Sequence, residues 1–274
     1  KKNSPKGIAV NKIPLRKASE LFGIINFVFF SPEDLNIIKD GPSERRRFID
    51  MELSQLDRVY LSDLYNYNRI VNQRNHLLKD MGNSGKIADT LDIWDLQLVQ
   101  YGNKIIERRK EFIKQVNEII SFIHKKLTGS REDIQVIYEP SNGSLALEQA
   151  LIKNRDRDLR IKSTSVGPHR DDICLLAGDL DIRRFGSQGQ QRTAALSLKL
   201  SEIELVKQAI NDTPVLLLDD VLSELDKHRQ NYLLDSINDI QTLITCTGVE
   251  DFVNHRFSIN KVFHVQGGQV MDEN

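Results

Sequence analysis

Apolar side chains recur with helical spacing along most of the first half of the chain. Tyr60, Leu64, Tyr67, Val71 and Leu78 fall at three-, four- and seven-residue steps, with Arg74 interrupting the line. That is the spacing of one helix packed on another. Trp94, Leu98, Ile105, Phe112, Val116 and Ile120 continue such a line as far as Leu127. The pattern predicts one helix from Gly41-Pro42-Ser43 to about Leu78 and a second from Ala88 to Leu127. Met81 to Lys86 would make the turn. Helices of 35 to 40 residues would each run roughly 50–60 Å, so together they describe an antiparallel arm. The aromatic residues in these lines read as seam residues rather than stacking platforms for bases.

The flanks alternate differently. Ile8 to Val10 and Ile13 to Leu15 predict a hairpin turning at Asn11-Lys12. Lys17 to Phe22 predicts a short helix closed by Gly23, and Ile24 to Phe30 an apolar strand. Ser31-Pro32-Glu33-Asp34 has the form of a helix start, with Ser at the cap, Pro at the first position and acids in the first turn. Beyond the arm, Ile134 to Tyr138 reads as a strand and Leu145 to Asn154 as a helix. Arg155-Asp156-Arg157-Asp158 reads as a charged connection. Thr164 to Val166 and Ile173 to Leu176 are expected strands. Thr193 to Ile210 reads as a long amphipathic helix, Val215 to Leu218 as a short buried strand, Lys227 to Ile237 as a helix capped by Asp226, and Gln241 to Cys246 as another buried strand. Lys261 to Val270 predicts a hairpin through Gly267-Gly268.

The chemistry concentrates in Phe185 to Asp226. Asp219 and Asp220 follow directly on an apolar strand, where open α/β sheets bind ligands. Asp219 is positioned to hold Mg²⁺ on a nucleotide and Asp220 to orient or deprotonate an attacking water. Alone, such a strand end is equally an acidic turn. Ser187-Gln188-Gly189-Gln190 at a helix start offers a hydroxyl, a Gly and unpaired N–H groups to an anion. The order of signature, helix, short linker, acidic strand end and Ser223-Glu224-Leu225-Asp226 is more specific than any part.

That order, with Ser187-Gln188-Gly189-Gln190-Gln191-Arg192 and Leu218-Asp219-Asp220, resembles the RecF family of bacterial DNA-repair ATPases, within the SMC-like ABC class. Gly167-Pro168-His169-Arg170-Asp171-Asp172 and the stretches Phe30 to Leu35 and Gly41 to Asp50 agree. The resemblance runs from about residue 8 to the C-terminus. It implies a partial α/β ABC/SMC-like ATPase head with an inserted antiparallel α-helical arm. Residues 1–40 would end the N-terminal part of the ATPase lobe, 41–158 would form the arm domain and 159–274 the C-terminal part with signature, Walker B and D-loop. It implies ATP and Mg²⁺ as cofactors, with Asp220 catalytic, Asp219 on the metal, and Ser187, Gln188, Gly189, Gln190 and Asp226 on the nucleotide. It also implies weak ATP hydrolysis and an ATP-dependent homodimer. The expected partners are single- and double-stranded DNA at gaps or junctions, and RecR and RecO in loading recombinase.

No G-x-x-x-x-G-K-[ST] occurs; Gly82-Asn83-Ser84-Gly85-Lys86-Ile87 has the wrong spacing. In the family the P-loop precedes everything seen here, so the chain is expected to be a C-terminal portion, nearly inactive alone as an ATPase. No Gln occurs between Phe22 and Asn36, where the class carries its Q-loop, and no residue takes that role. Thr245-Cys246-Thr247-Gly248 lacks the His that transporter ATPases place there. An SMC-like structural ATPase of a chromosome or nuclease complex is the alternative, but the insertion of about 110 residues is too short for its coiled coil.

Composition changes little. The 274 residues carry a formal charge of −1, so any nucleic-acid surface must be local. Arg45-Arg46-Arg47 and Arg108-Arg109-Lys110 are the candidate DNA contacts. The first triplet opposes the dipole of the helix it begins, so a carboxylate or a phosphate should face it, or it is a solvated face. His169, Asp171 and Asp172 suggest either a metal site or a structural, nucleotide-proximal loop. Cys174 and Cys246 stand apart and read as two buried structural thiols in a reducing cytoplasm. No apolar run approaches the ~20 residues of a membrane helix.

Overall fold

A computed structural model describes residues 7–80, 87–246 and 261–272. The chain opens with the hairpin β1 (Ile8–Val10) and β2 (Ile13–Leu15), whose turn residues Asn11 and Lys12 have φ of 50° and 69°. Strand β3 (Phe27–Phe30) follows, then a 3-10 turn at Pro32–Asn36 closed by a capping box between Ser31 and Asp34. The arm is α1 (Pro42–Leu56), α2 (Arg58–Asp80) and α3 (Ile87–Thr128). Next come β4 (Ile134–Glu139), α4 (Leu147–Ile161), β5 (Asp172–Ala177), β6 (Leu180–Asp181), the single-turn α5 (Ile182–Phe185), α6 (Gln188–Ile210) and β7 (Val215–Asp219). Then α7 (Lys227–Ser236), β8 (Thr242–Thr245) and the hairpin β9 (Phe263–Gln266) and β10 (Gln269–Asp272) complete the described residues.

Two sheets frame α6. In the first, β7 lies between β3 and β8, all parallel, with Phe30 beside Leu218 and Asp219 beside Thr245. Its side chains alternate. Val28, Phe30, Leu216 and Leu218 are buried, while Phe27, Phe29 and Leu243 stand 36–55% exposed on the other face. Asp219 and Thr245 belong to that second face. The strands β7 and β8 are therefore half-buried rather than the fully buried runs expected. The second sheet is antiparallel, in the order β4-β5-β6.

Helix α6 is not amphipathic as expected. Every residue from Thr193 to Ile203 is buried, because the helix packs on α3, on α1 and on the 3-10 turn that follows β3. A helix apolar all round belongs in a core, and here even its Ser197, Lys199 and Glu202 are inside. One continuous cluster joins arm residues such as Ile105 and Ile120 to Leu196 and Leu216.

Three further expectations change. The first arm helix breaks at Asp57, which leaves helical geometry and caps the next helix, accepting from Val59 N and Tyr60 N at 2.8 and 3.1 Å. The charged run Arg155 to Asp158 is no connection; it lies inside α4, where Asp158 is wholly buried against Arg74 at 2.7 Å. Thr164 to Val166 forms no strand, because Thr164 N is held by Asn75 and Ser165 N by Asp158. The expected turn at Met81 to Lys86 lies outside the described residues.

Candidate functional site

The strand β7 ends with its two carboxylates pointing apart. Asp219 is exposed, and its Oδ1 accepts from Thr245 Oγ1 at 2.5 Å. Its Oδ2 makes no hydrogen bond among the described residues. An oxygen ligand free on one side suits Mg²⁺, which binds through one or two carboxylates beside phosphates. Asp220 turns into left-handed geometry, φ 52°, which Asp tolerates better than most residues. Its N–H donates to Thr245 O at 3.1 Å and its carbonyl accepts from Ser223 Oγ at 2.7 Å. These bonds fix the turn and leave the Asp220 carboxylate for other work.

Ser187 is the N-cap of α6. Its hydroxyl accepts from Gln190 N at 3.3 Å, while Ser187 N donates to Gln190 Oε1 at 2.9 Å, a reciprocal box. The N–H groups of Gln188 and Gly189 remain for an incoming acceptor, as the first turn of any helix leaves them. Ser187, Gln188 and Gly189 are exposed, and a Cβ at Gly189 would meet only the Ser187 hydroxyl, at 4.0 Å. Gly186 cannot carry a side chain, since a Cβ there would come 2.6 Å from Ile182 O.

The structure gives parts to residues for which the sequence suggested none. Arg192 pairs with Glu224 at 3.0 Å, tying the signature helix to the turn after Asp220. Arg229 pairs with Asp226 and donates to Thr193 Oγ1 at 2.6 Å. Asp226 caps α7 through Arg229 N at 3.0 Å, and with Arg229 it braces the start of α6. Arg192 ends the signature run and Thr245 opens the stretch that lacks the His, but neither was given a role, and Arg229 lies in no motif; their register and pairing supply the roles.

The candidate DNA contacts separate. Arg45 is buried, bonded to Asp172 at 2.7 and 3.0 Å and to the carbonyls of Ile37, Ile38 and Asp40. Arg109 is buried with Asp50, Tyr60 and the carbonyl of Pro168. Arg45 thus meets the carboxylate alternative stated for its triplet, and both guanidiniums are buried on protein partners rather than exposed as DNA contacts would be. Arg108 is half taken by Asp57 at 2.6 Å. Arg46, Arg47 and Lys110 remain accessible.

The Gly167 to Asp172 loop is a hub. Gly167 has φ 122°, and a Cβ there would strike the Tyr67 hydroxyl. His169 uses both ring nitrogens: Nε2 lies 3.1 Å from Thr164 O, so it carries the proton, and Nδ1 accepts from Tyr67 Oη at 2.8 Å. Burial pulls its pKa down to about 4. Asp171 accepts from Tyr138 Oη and Ser141 N, and Asp172 pairs with Arg45 and Arg183. Among the described residues no group of three His, Cys, Asp or Glu is placed to hold a metal.

A parallel sheet ending in paired carboxylates, a buried signature helix with an exposed cap and an inserted helical arm together make an ABC/SMC-like ATPase head. No family profile matches the chain. Curated relatives do: the DNA replication and repair protein RecF of Lachnospira eligens is 63% identical over 100% of this chain and 76% of its own length. That of Agathobacter rectalis is 60% identical over 98% of this chain and 75% of its own length. A solved structure of the recombination mediator RecF with ATP superposes with a TM-score of 0.88 at 38% identity, covering all of this chain and 74% of that one. The chain belongs to the RecF family.

Proposed function

We propose that this chain supplies the signature, the acidic strand end and the DNA-facing arm of an ATP-gated DNA-repair protein working in the cytoplasm. Two copies face each other head to tail. Ser187 and the free N–H groups of Gln188 and Gly189 receive the terminal phosphate of a nucleotide held by the other copy, a geometry that oriented N–H groups at a helix N-terminus suit. Gln190 holds the Ser187 cap, and Asp226 holds the brace behind it. Asp219 holds Mg²⁺, which neutralises phosphate charge when bound. Asp220, fixed in its turn, orients or deprotonates the attacking water. Because the phosphate favours the closed pair, ATP shifts the balance from monomer to dimer and hydrolysis releases it. DNA is held through its phosphates without reading sequence. RecO and RecR are the proposed partners in loading recombinase at gaps or junctions, since the ATP-bound relative is described as part of a RecFOR pathway.

The observation that carries this is the exposed Ser187 cap tied through Arg192 and Glu224 to the turn of Asp220. It is tested by the solution mass of the chain extended to the full length of its relatives, with and without ATP·Mg²⁺. The parent should dimerise only with ATP, Ser187→Arg should stay monomeric, and Asp220→Asn should dimerise but turn over more slowly, by about 10²-fold or more. Dimerisation of Ser187→Arg like the parent defeats the trans contact. Equal turnover by Asp220→Asn defeats its role.

A further inference from the structure

A cavity of about 420 Å³ opens where α1, α2 and the Gly167–Asp171 turn meet. Arg46, Arg47 and Arg109 line it, with Ser43 and Asn68 at its edge and Met51, Leu64 and Tyr67 among its apolar walls. Asp50 is its only carboxylate, and Arg109 already holds it at 2.7 Å.

Arg46 sets this cavity apart. The other buried or half-buried arginines among the described residues are Arg45, Arg74, Arg109, Arg155, Arg183 and Arg229. Each has a carboxylate at ion-pair distance. Arg46, half-buried, has none; its one hydrogen bond is to the carbonyl of Asp171 at 2.8 Å. Burial first, and then the charge of Arg109, pull its pKa below the ordinary value, with Arg170 adding to the effect and Asp172 and Asp50 only partly offsetting it. A cation withdrawn from water among other cations is costly unless an anion joins it. The next residue, Arg47, is exposed and only loosely engaged by Glu44 at 3.7 Å. Two successive guanidiniums at an open mouth match the forked recognition of phosphate.

We propose that this cavity binds one phosphate of a nucleic-acid strand, with Arg46 and Arg47 on its oxygens and the attached sugar against Met51 and Leu64. The volume exceeds that of a phosphate alone and suits a nucleotide unit. A strand is favoured over a free phosphate because Arg47, which lines the cavity, has a side chain 71% exposed, so a phosphate it holds can continue into solvent as part of a chain. This rests on the DNA-binding part of the function proposed above.

Binding of labelled single-stranded and duplex oligonucleotides to the 274-residue chain, measured against salt, tests it. Arg46→Gln keeps a donor for Asp171 O and removes the charge. It should weaken binding several-fold whatever the sequence, and lower the salt slope by about 0.9 on duplex or about 0.7 on single strands. Arg46→Lys should restore most of the slope, and Arg160→Gln, an exposed arginine on α4, should leave it unchanged. Melting temperatures confirm that each variant is folded. A parent-like slope in Arg46→Gln overturns the site while leaving DNA binding intact. Failure of the parent to bind at low salt overturns the DNA reading itself. If AMP or inorganic phosphate raises the melting temperature of the parent but not of Arg46→Gln, while DNA binding is equal in both, the cavity takes a free phosphate and the strand assignment falls.

Discussion

Glu52 of α1 and Lys199 and Glu202 of α6 are buried together where arm and lobe meet. Lys199 Nζ lies 2.5 Å from Glu202 and over the Phe48 ring at 5.4 Å. One ammonium cannot balance two carboxylates. Burial, and then the charge of Glu202, push Glu52 well above the usual carboxylate range. Burial raises Glu202 too, against the pull of Lys199. The folded protein therefore keeps a proton that the unfolded chain gives up above about pH 4.3. Stability contributed by this proton is full below that pH and falls as pH rises toward the folded pKa of Glu52. His169 acts oppositely: neutral when folded down to about 4 but protonated below about 6.5 when unfolded, it makes stability rise with pH across that window. Urea midpoints from pH 4 to 8 should fall less steeply with pH in Glu52→Gln than in the parent, and rise less between 4 and 6.5 in His169→Gln. Profiles parallel to the parent would refute either assignment. Lys199→Met should cost about 3–5 kcal/mol by stranding a buried carboxylate, and adding Glu202→Met should recover much of that; simple additivity would deny the coupling. Residue types were legible at this scale, but partners were not. Arg45 looked like a surface cation because its carboxylate, Asp172, lies 127 residues away.

At the scale of elements, periodicity located the helices well and their breaks badly. The apolar line passes through residue 57 without losing phase, and neither Gly nor Pro marks the spot. The signal present was the capping residue itself: Asp57 satisfies two N–H groups of the α2 first turn, and Arg108 holds its other oxygen at 2.6 Å. Asp57→Ala should lower stability by about 1 kcal/mol, mostly through the cap, whereas Arg108→Ala should cost less because exposed pairs contribute little. A larger loss in Arg108→Ala would reverse that ranking. The Arg155 to Asp158 run misled for a related reason. Charged residues in sequence look like a linker, yet Arg155 reaches Asp95 at 2.7 Å and Asp158 reaches Arg74, so α4 continues through them to satisfy charges buried on α2 and α3. The signature and the acidic strand end could be proposed from sequence because their spacing is local; the Arg192–Glu224 and Arg229–Thr193 braces could not, because each spans more than thirty residues.

For the whole molecule, the decisive element is α3. At 42 residues it is about 60 Å long, and it packs on α2, α4, α6, α7 and β4. The sequence suggested an inserted arm domain over residues 41–158, between two parts of an ATPase lobe. The packing makes arm and lobe share one core, since Ile105 and Ile120 belong to the same cluster as Leu196 and Leu216. A shared core implies cooperative unfolding. Trp94, the single tryptophan, lies half-buried near the start of α3 and reports the arm, while far-ultraviolet circular dichroism reports all helices. Their urea transitions should coincide. Ile120→Ala, which empties a fully buried site, should cost about 2–5 kcal/mol and move both transitions equally. A tryptophan transition that stays in place while the dichroism shifts would mean that the arm unfolds by itself. Coincident shifts would mean that a load on the arm is felt at α6, the helix whose capped end is proposed to close on the nucleotide.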